Sequence, residues 1–261
     1  MSRLRLAALP LFVAACSTAA PPPPEIVETA GPCGEAFGAQ TCTWSRSQGD
    51  SLLEVGATVA LASVTGAPDS MPMAWPPAYQ ADLSMPEGSA ASGLVNYTYA
   101  WEPVGHPPPT FFAPHVDFHF NLIPASERQT IDCSDRTKPT TLPAGYTLRD
   151  EPLPPEVAAM IGVDSLIGTC VPNMGMHALV ESEYAATEPF SATMVIGYYG
   201  GRPIFLEPMI ARARLMERAS FDLAIPEIPG VAGPYPRAFR ADWVPETESY
   251  RFTFSDFRPG S

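Results

Sequence analysis

Chemistry in this chain gathers around its histidines. Three of the four, His106, His115 and His119, fall within fourteen residues, and the fourth is His177. Neutral imidazole is the commonest protein ligand for transition metals, so such a cluster points to metal chemistry more than any single histidine would. In His115-Val-Asp117-Phe-His119 polar and bulky apolar residues alternate. In an extended strand the polar three share one face, which then lines a cavity or an interface. Alternate residues of a strand lie about 6.6 Å apart and His115 and His119 about 13 Å, so the two share one ion only across a bulge or bend. Asp117 with one histidine is the safer pair, and Asp117 could equally hold an imidazole in one tautomer.

Further ligands must come from elsewhere in the chain. His177, in Met174-Gly175-Met176-His177, and Glu207, inside the apolar run Phe205-Leu206-Glu207-Pro208-Met209, are best placed. A carboxylate in an apolar strand is costly unless it is paired or metal-bound. The candidate metal set is therefore His115, Asp117, His119, His177 and Glu207, with His106 and Glu102 as neighbours that would orient the ligands. A divalent ion such as zinc, iron, copper or manganese suits these donors. Two other readings stay open: a polar pocket for a small molecule, and a network that only hydrogen-bonds.

The elements that must position these residues read as strands. In Val95-Asn-Tyr97-Thr-Tyr99-Ala-Trp101 the large side chains recur at every second residue, and 114–122 places Val116, Phe118 and Phe120 opposite the polar face. The aromatic group Tyr97, Tyr99, Trp101, Phe111 and Phe112 reads as core, with a stacking platform for a ligand as the alternative. The paired glycines Gly200-Gly201 predict a hairpin between Ala192 and Ala211. A second hairpin is expected from Ala238–Val244 to Ser249–Phe257, and one more strand over Leu52–Val64. Short helices are expected at 125–131 and 154–161, while 211–219 fits either a helix or a continued strand. Prolines, 32 in all, concentrate between these segments. Together these features predict one mostly-β domain, an antiparallel sandwich or barrel, with few short helices and long Pro-rich loops.

Composition removes several functions. With 15 basic against 28 acidic side chains the net charge is −13, which argues against nucleic-acid binding. Lys138 is the sole lysine, in a polar Pro-flanked loop, so Schiff-base chemistry has almost no support. P-loop, Gly-x-Ser-x-Gly, His-Glu-x-x-His and dinucleotide-binding glycine motifs are missing from the sequence. Paired carboxylates for glycoside hydrolysis stay open, since their spacing is spatial.

The N-terminus gives an address. Arg3 and Arg5 precede the apolar run Leu6–Ala15, far too short to span a bilayer, so residues 1–15 read as a cleavable export signal. Val13-Ala14-Ala15-Cys16 resembles the lipobox of bacterial lipoproteins, which implies cleavage before Cys16 and lipidation of its sulfur. Ser17, where lipoproteins kept at the inner membrane carry Asp, favours an outer-membrane location facing the periplasm in a Gram-negative cell. Cleavage would leave 13 basic against 28 acidic side chains, a net −15. Residues 16–32, with the tetraproline Pro21–Pro24, read as a stiff tether, and 33–261 as the single domain. Four cysteines remain, Cys33, Cys42, Cys133 and Cys170, an even number suited to disulfides in an exported protein. Of the three possible pairings, proximity favours Cys33–Cys42, which leaves Cys133–Cys170.

Four motifs carry a family resemblance. They are Trp101-Glu-Pro-Val-Gly105-His106-Pro-Pro, Pro114-His115-Val-Asp117-Phe118-His119-Phe120, Pro172-Asn-Met174-Gly175-Met-His177, and Tyr199-Gly-Gly-Arg-Pro-Ile-Phe205-Leu-Glu207-Pro208-Met209-Ile210. In this order they resemble a bacterial family of unknown function, similar to a Thermus protein controlled by a sigma-E/anti-sigma pair. The likeness spans about 52–257. Where the family pattern carries aromatics, this chain has Asn121 and Ala178, so the packing around the site is expected to differ. The resemblance supplies no reaction. Three expectations follow: an envelope lipoprotein with a divalent-metal site for catalysis, storage or sensing; a non-enzymatic small-ligand module with its ligand in a barrel mouth; or a structural, oligomerising envelope protein. The membrane, through the lipid, is the one partner the sequence names.

Overall fold

The computed structural model describes residues 24–72, 74–184, 186 and 188–259. The expected export signal, Cys16 and most of the tetraproline run lie outside the described residues. In chain order the first six strands are β1 (Ile26–Ala36), β2 (Ala39–Gln48), β3 (Ser51–Ala60), β4 (Tyr79–Ser84), β5 (Asn96–Glu102) and β6 (His115–Asn121). Four short ones follow: β7 (Tyr146–Thr147), β8 (Glu151–Pro152), β9 (Ser165–Leu166) and β10 (Met176–Val180). The last five are β11 (Ala192–Tyr199), β12 (Arg202–Ala211), β13 (Phe221–Ala224), β14 (Pro234–Val244) and β15 (Ser249–Pro259). Five helices of at most seven residues intervene: α1 (Leu61–Thr65), α2 (Ala125–Arg128), α3 (Pro155–Ile161), α4 (Glu181–Tyr184) and α5 (Arg212–Met216).

The long strands form two open antiparallel sheets, ordered β1-β2-β3-β15-β14-β13 and β4-β5-β6-β12-β11-β10-β7. The sandwich alternative therefore holds and the barrel does not. Between the sheets lies the main core. Tyr97 and Tyr99 of β5, Val116, Phe118 and Phe120 of β6, and Leu206 and Ile210 of β12 meet Phe239, Phe252 and Phe254 of the facing sheet. Phe118 packs edge-on against Phe252 at 4.8 Å and Phe120 against Phe254 at 4.6 Å. These aromatics are core, Phe111 is buried in a second cluster, and Phe112 is exposed, so the five make no continuous stacking platform.

The expected hairpins form, β11 to β12 across Gly200-Gly201 and β14 to β15 across Pro245–Thr247. Two segments differ from the sequence reading. The strand expected over Leu52–Val64 stops at Ala60, where the chain turns into α1. Residues 26–32, assigned above to the tether, belong to β1 and pair with β2 from Ile26 onward. Residues 211–219 begin as the short helix α5 rather than continuing β12. Both favoured disulfides are present, Cys33–Cys42 across the β1–β2 pair and Cys133–Cys170 between two loops. They fit an oxidising, exported environment. Among the described residues no helix is long and apolar enough to cross a membrane.

The outer face of the seven-stranded sheet is not left to water. Loop residues Phe111, Ile123, Ile131 and Phe190 pack on Val195, Leu179, Phe205, Met209 and Ala211 and form a second apolar cluster there. The Pro-rich connections thus act as a third layer, and the candidate site lies beneath it.

Candidate metal centre

Strand pleat decides which side chains reach this covered face. On β6 the residues His115, Asp117, His119 and Asn121 alternate with the core aromatics, and all seven residues of the strand are buried. Opposite them on β5 stand Glu102, Ala100, Thr98 and Asn96 in register. Glu207 of β12 and His177 of β10 project to the same side. The result is a polar stripe across four strands, closed over by apolar loops.

The stripe divides the predicted residues into two groups, each of two histidines and one carboxylate: His106 with His115 and Asp117, and His119 with His177 and Glu207. Within each group the donor atoms lie within 4.8 Å of one another. The single five-residue ligand set expected from sequence is therefore not assembled. His106, expected only to orient other ligands, takes a donor position in the first group. His115 and His119 part company because β6 is regular between them, with continuous pairing to β5. Glu102 stands beside the first group, opposite His115 in register.

In the deeper group Glu207 Oε2 lies 3.8 Å from His119 Nε2 and 3.9 Å from His177 Nε2. Zinc bonds of about 2.0–2.1 Å at tetrahedral angles place donors about 3.3 Å apart, so small side-chain rotations would close the set on an ion. His177 donates its Nδ1–H to the Thr169 carbonyl at 2.9 Å, which leaves Nε2 as the bare lone pair facing Glu207. Both nitrogens of His119 and Glu207 Oε2 are buried without a hydrogen-bond partner among the described residues. Unpaired buried polar atoms are costly, and a cation would satisfy Glu207 Oε2 and one nitrogen of His119 at once.

Phe205 holds this group in place. Its ring lies 4.9 Å from that of His119 and 5.1 Å from that of His177. Room for the ring comes from Gly197, which pairs with both Phe205 and His177 across β11. A Cβ there would sit 2.1 Å from two ring carbons. Beyond the site, Arg128 is buried and binds Asp82 at 2.5 Å and the Asn173 carbonyl at 3.1 Å, and stacks over Tyr79. Asp82 accepts from Asn96, which accepts from Asn121. Asn121 thus takes part in a hydrogen-bonded relay, and Ala178 joins the main core.

In the outer group the two oxygens of Asp117 face different rings: Oδ1 lies 3.1 Å from His115 Nε2 and Oδ2 3.8 Å from His106 Nε2. His115 donates Nδ1–H to the Ala113 carbonyl at 2.7 Å and His106 to that of Pro107 at 2.8 Å. Again each Nε2 is left facing the carboxylate.

Electrostatics separates the groups. Burial pushes His119 down to about 3 and His177 down to about 4, so both imidazoles are neutral at physiological pH. Burial, with the charges of Asp117 and Glu102, drives Glu207 well above the usual carboxylate range. Burial likewise raises Glu102 to about 7, helped by Asp117. For Asp117, burial is outweighed by the neighbouring imidazoles of His115 and His106, which hold it far below the ordinary value. Burial also opposes protonation of His106, yet Asp117 and Glu102 lift it to about 9.

Sequence reasoning missed Thr169, Phe205 and Gly197 as supports of the site, as well as the Arg128 relay. Only Gly197, a glycine inside a continuous strand pattern, carried a readable signal of close approach. No protein-family model, curated protein or solved structure matches this chain.

Proposed function

We propose that this chain is a metal-binding protein of the cell envelope that holds a divalent transition ion through His119, His177 and Glu207. The unpartnered, fully buried donor atoms of His119 and Glu207, facing the bare Nε2 of His177, carry the reading. Two nitrogens and one carboxylate oxygen suit zinc or iron(II) and leave coordination positions for water. Those residues, with His106 and His115, come from the four motifs of the family resemblance, which supports placing this site among that family's shared features. The lipobox-like Val13–Cys16 and the two disulfides support export and a lipid anchor at Cys16, on the outer membrane.

Elemental analysis of the untagged full chain, purified in detergent, tests the metal. Bound zinc, iron, copper or manganese should be lost in His119→Ala and Glu207→Gln while near-ultraviolet circular dichroism stays native. A chain that takes up none of these ions overturns the reading. Cys16→Ser should abolish incorporation of labelled fatty acid, which tests the anchor separately.

A small-ligand function has one observation in its favour. A cavity of about 690 Å³ opens between β7, β10 and β11 of one sheet and the edge strand β13 of the other, lined by Tyr146, Val180, Met194 and Leu223. Its size falls in the range of small-molecule sites.

A further inference from the structure

The outer group offers a donor set of its own. We infer that His106, His115 and Asp117 form a second, separate divalent transition-metal site, with His106 as its outward-facing ligand.

Three observations lead there. First, both imidazoles are fixed by Nδ1–H bonds to loop carbonyls, so each Nε2 is turned toward an oxygen of the one carboxylate. Second, His115 is fully buried, and its Nε2 and Asp117 Oδ1 lack any hydrogen-bond partner among the described residues. Their 3.1 Å approach is misaligned for a hydrogen bond but is close to the spacing of two donors on one ion. Third, the loop that delivers His106 is tightly folded. Gly105, at φ 70°, packs so closely that a Cβ would meet the Phe111 carbonyl oxygen at 1.9 Å. His106 is thus presented by a compact turn.

The two sites are distinct rather than one bridged pair. Each carboxylate faces its own two histidines, and His115 and His119 stand about 13 Å apart along a regular strand. They differ in access. The His106 side chain is 35% exposed, whereas those of His119 and Glu207 are 1% and 2% exposed. An ion in the outer site therefore exchanges with solvent and offers open positions to water or a small anion, while the deep ion is enclosed.

Cobalt(II), whose visible spectrum reports its ligands, is the probe. The full chain, stripped and reloaded, should hold two cobalt ions, and EDTA should remove one well before the other. His106→Ala, at a partly exposed position, should hold one ion, the slow one, with native near-ultraviolet circular dichroism. Glu207→Gln should keep the fast one. If the wild type binds a single ion that His106→Ala retains, the second site is overturned and the deep site stands. If it binds a single ion that His106→Ala loses and Glu207→Gln keeps, the outer site stands and the deep one falls. No bound cobalt at all overturns both.

Discussion

Gly197 is where the fold and the site can be perturbed together. Replacing it with alanine would set a Cβ 2.1, 2.1 and 2.3 Å from three carbons of the Phe205 ring. Ordinary carbon contacts lie at about 3.5–4.0 Å, so the ring must retreat by more than about 1 Å or β11 must part from β12. Overpacking of this kind costs roughly 1–3 kcal/mol. Alanine in a strand regains about 0.5–1 kcal/mol over glycine, so Gly197→Ala should destabilise by about 1–2 kcal/mol. Because the ring touches both His119 and His177, the same shift should weaken metal binding at the deep group. Phe205→Ala, which empties a fully buried site, should itself cost about 3–5 kcal/mol. With the ring gone the clash disappears, and Gly197→Ala added to Phe205→Ala should be neutral or slightly stabilising. Urea unfolding of the four proteins of this cycle gives the coupling, expected at about 1–3 kcal/mol. The reasoning fails if Gly197→Ala matches wild type in stability and metal content, or costs the same in both backgrounds.

Ion binding at the deep group should tighten as pH rises, about tenfold per unit while Glu207 holds its proton, because the carboxyl must release it. Calorimetry in two buffers of different ionisation enthalpy should show about one proton released per ion there, since His119 and His177 are already neutral. Binding independent of pH between 5 and 8 would refute this. In the metal-free protein His106 has a raised folded pKa, about 9 against 6.5, so its contribution to stability is complete below 6.5 and lost as pH rises through 9. Urea midpoints of the metal-free wild type should accordingly fall between pH 6.5 and 9.5, and less so in His106→Asn. Replacing Cys133 and Cys170 by serine opens a crosslink spanning 37 residues, against 9 for Cys33–Cys42, and chain entropy sets the losses at about 4 and about 3 kcal/mol. Only the first change should lower metal affinity, because Cys170 adjoins Thr169, whose carbonyl orients His177; equal metal loss from both would count against that link.

The sequence showed most clearly what repeats with period two around large side chains. β5, β6 and the β11–β12 hairpin read directly because bulky residues alternate on one face and Gly200-Gly201 marks the turn. β1 and β2 escaped notice for physical reasons. β1 is an edge strand, nearly all exposed and bonded on one side only, so no apolar alternation marks it. β2 turns Thr41, Thr43 and Ser45 inward, and small polar residues hide a buried face. At the site, the strand spacing correctly warned that His115 and His119 would not meet without a bend. It could not give His106 its role, because that position depends on how a Pro-rich loop folds back over the sheet.

That loop layer explains why the site exists at all. The outer face of an antiparallel sheet ordinarily meets water, where imidazoles and carboxylates need no partner. Here Phe111, Ile123, Ile131 and Phe190 exclude the water, and the same residues become unpaired donors in a low-dielectric space. The division of labour is consistent across the stripe. Strands supply His115, Asp117, His119, His177 and Glu207, while the carbonyls that fix the imidazoles come from the covering segments, at Pro107, Ala113 and Thr169. Each of those three bonds takes up an Nδ1 and leaves an Nε2 free. His119 alone has no such carbonyl, and it is also the histidine with both nitrogens unsatisfied. The sheet therefore sets which donors are present, the loops set which nitrogen three of the histidines offer, and His119 is the one donor that no carbonyl orients.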